Sequence, residues 1–197
     1  MFLTFVKKIR DTRQIGKPYL CFMKYSLPHS LEILERTPDL LKAWLSGLSE
    51  EWTHTNEGGE TWSAYDILGH FIHGEKTDWI PRMEIILSDR TDKTFVPFDR
   101  FAQFRDSEGK TLEELFAEFK RLRMESLERL RAAGLTEADW DKEGVHPEFG
   151  TVTLSELLAT WVVHDMGHIA QIARVMAHQY RGEIGPWKAY LGIMKGK

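Results

Sequence analysis

The sequence predicts an all-α protein, a four-helix bundle. Four long segments carry apolar residues at helical spacing. Three of them open on a Ser or Thr followed three residues later by an acid, the signature of a capped helix start. No stretch shows the strict alternation of a half-buried strand. Long helices that each bury one stripe pack most simply as a bundle, and bundle sites form between facing helices.

Residues 1–22 lack clear periodicity and are expected to be a poorly ordered extension, leaving 23–197 as a single domain. The first helical stripe runs through Leu27, Leu31, Leu34, Leu41, Leu45 and Leu48. Thr37-Pro38-Asp39 interrupts it as a cap, a first-turn proline and an early acid, so a helix starts or kinks there. Ser49 to Glu60 is polar, contains Gly58-Gly59 and reads as a loop. The second helix opens at Ser63, with Asp66 as its capping partner, and Pro81 should kink or end it. From Ser88 to Lys110 there is no period, which in a compact domain points to a functional loop or a concealed element. The third helix opens on the Thr111/Glu114 capping box, carries a stripe from Leu112 to Leu130 and stops at Gly134. After a loop with one short turn at Thr136–Trp140, Thr153 and Glu156 cap a fourth helix that runs to about Tyr180. Trp187 to Met194 is a short closing segment.

Composition narrows the function classes. With 42% apolar and 28% charged residues, the 197-residue chain has the balance of an ordinary globular protein. A net charge of −4 and the lack of a basic, aromatic-interleaved stripe argue against nucleic-acid binding. No apolar run approaches the ~18 residues of a membrane span. Met1–Val6 is apolar but precedes Lys7, Lys8 and Arg10, the reverse of a secretory signal, so a cytoplasmic location is expected. Cys21 is the single cysteine. A metal site would therefore use imidazoles and carboxylates rather than thiolates, and a cysteine nucleophile is not expected.

The stretch that carries chemistry is His164-Asp165-Met166-Gly167-His168. Histidines four apart on a helix stand on one face, within about 40° of each other, and can reach one ion. Leu154, Leu157, Trp161, Ile172 and Val175 share that sector, so the pair faces the interior. Such imidazoles either bind a metal or are core histidines satisfied by hydrogen bonds. A third ligand could come from His70 or His73 on the second helix, or from His54 or His146 in loops. On a helical wheel His70 lies off the centre of its apolar sector, whereas Glu75 lies nearer the middle. Glu75 is thus a ligand, an orienter of a ligand, or a solvated group beside the Pro81 kink. His164-Asp165-x-x-His168 has the spacing of the HExxH metalloprotease helix, but Asp165 is shorter than Glu and sits about 100° from His164. Asp165 fits better bonded to an exposed partner or orienting an imidazole. Glu75, Asp165 and His146 are candidates either to support the ligands from behind or to act as acid/base groups. The Phe95–Arg105 loop could line a substrate entrance, with Arg100 or Arg105 meeting an anionic group.

Trp62-Ser63, Ile67-Leu68-Gly69-His70, Glu75 and Trp79, then His164-x-x-x-His168-x-x-Gln171-Ile172 and the late Gly185-Pro186-Trp187, together resemble the DinB-like superfamily, which includes the YfiT-type metal-dependent hydrolases. The resemblance covers roughly Leu27 to Met194. It implies an up-down-down-up four-helix bundle and a divalent ion, Zn²⁺ or Ni²⁺, on His70, His164 and His168. It also implies a homodimer and a small-molecule substrate. Characterised relatives use a low-molecular-weight thiol, so the implied activity is a thiol S-transferase or a hydrolase. A non-catalytic metal-binding stress-response bundle is the alternative.

Overall fold

A computed structural model describes residues 23–195. The expected extension at 1–22 lies outside the described residues.

Each long segment of the sequence becomes helix, and prolines divide two of them. The first comprises α1 (Leu27–Leu34) and α2 (Thr37–Leu45). Pro38 has no N–H to give to the carbonyl of Leu34, the bond a continuous helix would make. That carbonyl instead accepts from Arg123 Nη1 at 2.9 Å, so a charged side chain fills the gap the proline leaves. The second segment comprises α4 (Ala64–Thr77) and α5 (Trp79–Leu87), broken at Asp78 three residues before Pro81. The capping boxes expected at Ser63/Asp66, Thr111/Glu114 and Thr153/Glu156 are all made in full. They open α4, α7 (Leu112–Ala132) and α8 (Leu154–Gln179).

Two local expectations are corrected and a third is resolved. The 49–60 segment, expected as a loop, contains a short helix, α3 (Glu50–His54), and the 88–110 segment does conceal one, α6 (Ala102–Asp106). The loop before α8 is a two-stranded antiparallel hairpin, β1 (Glu143–His146) with β2 (Gly150–Thr153), where no strand was expected. The hairpin holds because Phe95 and its neighbours pair with it: Phe95 N–H donates to Val145 O at 2.9 Å, and Val145 N–H to Lys93 O at 3.0 Å. Gly144 makes the approach possible. A Cβ there would stand 2.6 Å from the Phe95 ring.

The four long segments pack around two apolar cores. One joins Leu34, Trp79, Met83, Leu127, Leu157 and Trp161. The other joins Leu41, Leu68, Phe71, Phe119 and Ile172. Between them lies a polar layer. Along α7 the order is Phe119, Arg123, Leu127; along α8 it is Trp161, Asp165, Ile172. The histidines of α4 and α8 stand at this level.

Candidate metal centre

The polar layer begins with Arg123, wholly buried in the stripe of α7. Its guanidinium forks onto Asp165 through Nη1 (2.6 Å) and Nη2 (3.0 Å), and Nε donates to Glu75 at 2.8 Å. A buried guanidinium needs such partners, and two carboxylates and a carbonyl supply them. Burial pushes the Asp165 carboxyl up, but Arg123, with His164 and Thr37, outweighs it and together they hold the group below its ordinary value. Burial raises Glu75 despite Arg123. Both expected alternatives that put these carboxylates in water are therefore corrected. Glu75 is no solvated end, and Asp165 has no exposed partner. Neither lines the cleft described below, so neither can touch a substrate there. Asp165 instead stands behind His164, its Oδ1 3.9 Å from Nδ1.

In front of this network His70, His164 and His168 converge. One ring nitrogen from each lies within 4.8 Å of the others, and His70 Nε2 is 3.0 Å from His164 Nε2. Two nitrogens bound to one tetrahedral zinc at ordinary bond lengths lie about 3.3 Å apart, so the spacing suits a shared ion. His168 Nδ1 bonds Gln171 Oε1 at 2.8 Å. Its proton therefore sits on Nδ1, and the Nε2 lone pair is left for the cluster. Burial, reinforced by the neighbouring imidazoles, lowers His70 to about 2 and His168 to about 4. Neutral imidazoles are the form that binds metal.

His70 is buried although its wheel position suggested otherwise. The wheel assumes one buried face, whereas α4 is enclosed by α6, α7 and α8, and every residue from Ile67 to Glu75 is buried. Gly69 admits α6, because a Cβ there would overlap Ser107 Oγ. The other candidate ligands stay away from the cluster. His73 faces Asp106 at 3.6 Å, and His54 stacks on Tyr65.

The three imidazoles form the floor of an open cleft of about 990 Å³. His146 is on its wall, as a turn anchor: its Nδ1 accepts from the backbone N–H of Glu148 (3.1 Å) and Phe149 (3.3 Å). Burial lowers its pKa, and Arg82 adds to this. Sequence reasoning missed Asp78 on the cleft wall and Arg123 buried behind the histidines. Asp78, at the break between α4 and α5, is raised by burial against the pull of Arg82. Its Oδ1 stands 2.5 Å from Arg82 Nε but is not aligned as a hydrogen bond. Nothing in the sequence marked Asp78, since the break resets the helical phase. Arg123 did leave a signal: it is the charged residue midway between Phe119 and Leu127 in an otherwise apolar stripe.

Fold and site thus define a four-helix-bundle protein with a three-histidine cluster at the base of a cleft. A family model described as the DinB superfamily matches residues 33–172, and the chain belongs to that superfamily. Among solved structures it is similar to YfiT from Bacillus subtilis, with 20% identity over 83% of this chain and 93% of that one and a TM-score of 0.63. YfiT is described as "a probable metal-dependent hydrolase with an unusual four-helix bundle topology". No curated protein matches the chain. Among the described residues no helix is long and apolar enough to cross a membrane.

Proposed function

We propose that this chain is a divalent-metal-dependent enzyme in which His70, His164 and His168 hold Zn²⁺ or Ni²⁺. It then acts on a small molecule as a hydrolase or a thiol S-transferase. The convergence of three imidazoles at the floor of an open cleft carries the reading. Three imidazoles without thiolates suit zinc or nickel, and three protein ligands are the number a catalytic zinc site uses. An ion held there supplies positive charge that lowers the pKa of a water or thiol bound to it. The description of YfiT as a metal-dependent hydrolase supports the hydrolytic branch.

The chain's own residues do the rest. Gln171 fixes the tautomer of His168. Arg123 fixes Asp165, which backs His164. Asp78 and His146 are the wall groups able to take up or return a proton. Burial raises the Asp78 carboxyl, which favours its protonated, proton-donating form relative to an ordinary aspartate.

The test is turnover by the purified chain across esters, amides and electrophiles, the last with several cellular thiols. Activity that chelation removes and Zn²⁺ or Ni²⁺ restores supports the reading. Hydrolysis without thiol selects the hydrolase, and strict thiol dependence selects the transferase. Metal bound without turnover across the panel would favour a non-catalytic bundle.

A further inference from the structure

The cleft has a second wall that the metal ligands do not explain. Phe98 meets His70 edge-on, with ring centroids 5.4 Å apart. Phe101 and Phe149 line the same space while remaining 56% and 76% exposed. Large aromatic side chains left in water around a cleft favour an apolar ligand. Three arginines also line it: Arg82, Arg100 and Arg174. Two are engaged. Arg82 lies against Asp78, and Arg174 donates to both oxygens of Glu57. Arg100 pairs with no carboxylate among the described residues and lines the same cleft as the three histidines. Arg105, the other arginine of this segment, donates to Asp99 at 2.6 Å and does not line the cleft. The acids of the lining are Asp78, held by Arg82, and the exposed rim residues Glu60 and Glu148.

We propose that the substrate is an amphipathic organic anion. Its flat apolar part packs between Phe98, Phe101 and Phe149, and its carboxylate or phosphate is received by Arg100 beside the three histidines. This rests on the reading of the cleft as the active site and names its substrate class. Arg100 presents a planar fork that matches either anion bidentately. With the ring in the aromatic wall, the rest of the molecule is presented to the histidine floor.

The experiment measures binding of defined probes to the full chain as purified, by calorimetry, and again with zinc added. The probes are 2-naphthoate, 2-naphthyl phosphate, uncharged 2-naphthol and acetate. Expected is one site for the naphthyl anions, with 2-naphthol about tenfold weaker or worse and acetate undetectable. Whichever naphthyl anion binds more tightly identifies the headgroup. Arg100→Gln should weaken the anions about tenfold and leave 2-naphthol unchanged, whereas Arg105→Gln should leave all probes unchanged. Phe149→Ala should weaken 2-naphthol and the anions alike. No naphthyl binding, or wild-type anion affinity in Arg100→Gln, would overturn the proposal. Failure of the metal reading shows separately, as no metal in the protein and no effect of added zinc on any probe.

Discussion

Arg123 grips Asp165 with two hydrogen bonds, of 2.6 and 3.0 Å, in the position directly behind the imidazole of His164. The same guanidinium caps the carbonyl that Pro38 leaves without a donor and holds Glu75. One buried residue thus ties the broken first helix, the second, third and fourth helices and the back of the three-histidine cluster together.

Removing Arg123 leaves two buried carboxylates without their cation. Arg123→Met should cost about 3–5 kcal/mol, as breaking a buried ion pair does. At roughly 2–4 °C per kcal/mol for a domain of this size, the melting temperature should drop by about 10 °C. Combining it with Glu75→Gln and Asp165→Asn should recover much of the loss. Urea unfolding of the single and triple variants checks this, and equal stability of wild type and Arg123→Met would refute it.

Asp78 is expected to act on protons without holding the metal. Asp78→Asn should lower kcat about 100-fold, the scale of a lost general acid or base, with metal content unchanged. It should also remove one limb of the pH–rate profile. A variant with normal kcat at every pH excludes the role.

Without metal, the folded state should lose stability as pH falls. His70 and His168 are lowered to about 2 and about 4, against 6.5 in the unfolded chain. Above pH 6.5 neither state binds the proton, so there is no difference. Below it the unfolded chain takes up protons that the folded one excludes. The unfolding free energy should fall from about pH 6.5 towards pH 4, by up to a factor of ten in the folding constant per pH unit per histidine. Replacing either histidine with Ala should flatten the slope of denaturation curves collected across that range.

Gly144→Ala would force a methyl group against the Phe95 ring and Ile86. Overpacking of this kind costs roughly 1–3 kcal/mol, and it should displace the hairpin that carries His146. Faster hydrogen exchange at the Phe95 and Val145 amides would register the change, with α7 unaffected.

How far the sequence reveals this arrangement depends on how local each feature is. The capping boxes at Ser63, Thr111 and Thr153 and the stripes of α7 and α8 are written in adjacent turns, and so is the inward-facing His164/His168 pair. The hairpin is not. Its four-residue strands are held by the distant Phe95 and by space that Gly144 leaves. The burial of His70 could not be read from one wheel because α4 is enclosed on several sides. Its matching position in the family pattern supplied what periodicity lacked. Glu75 and Asp165 stand out in the sequence, but their common partner Arg123 lies forty-odd positions from each in the chain, so no local pattern joins the three.

The central claim is tested most directly by counting metal. Wild-type protein and the variants His70→Ala, His164→Ala and His168→Ala would be purified, reconstituted with Zn²⁺ or Ni²⁺, desalted and assayed by mass spectrometry, with circular dichroism confirming the helix content of each. The account expects one ion per chain in the wild type and a loss of at least tenfold in affinity in each variant. A wild type that retains no ion, or any one of the three variants that binds as the wild type does, would contradict it.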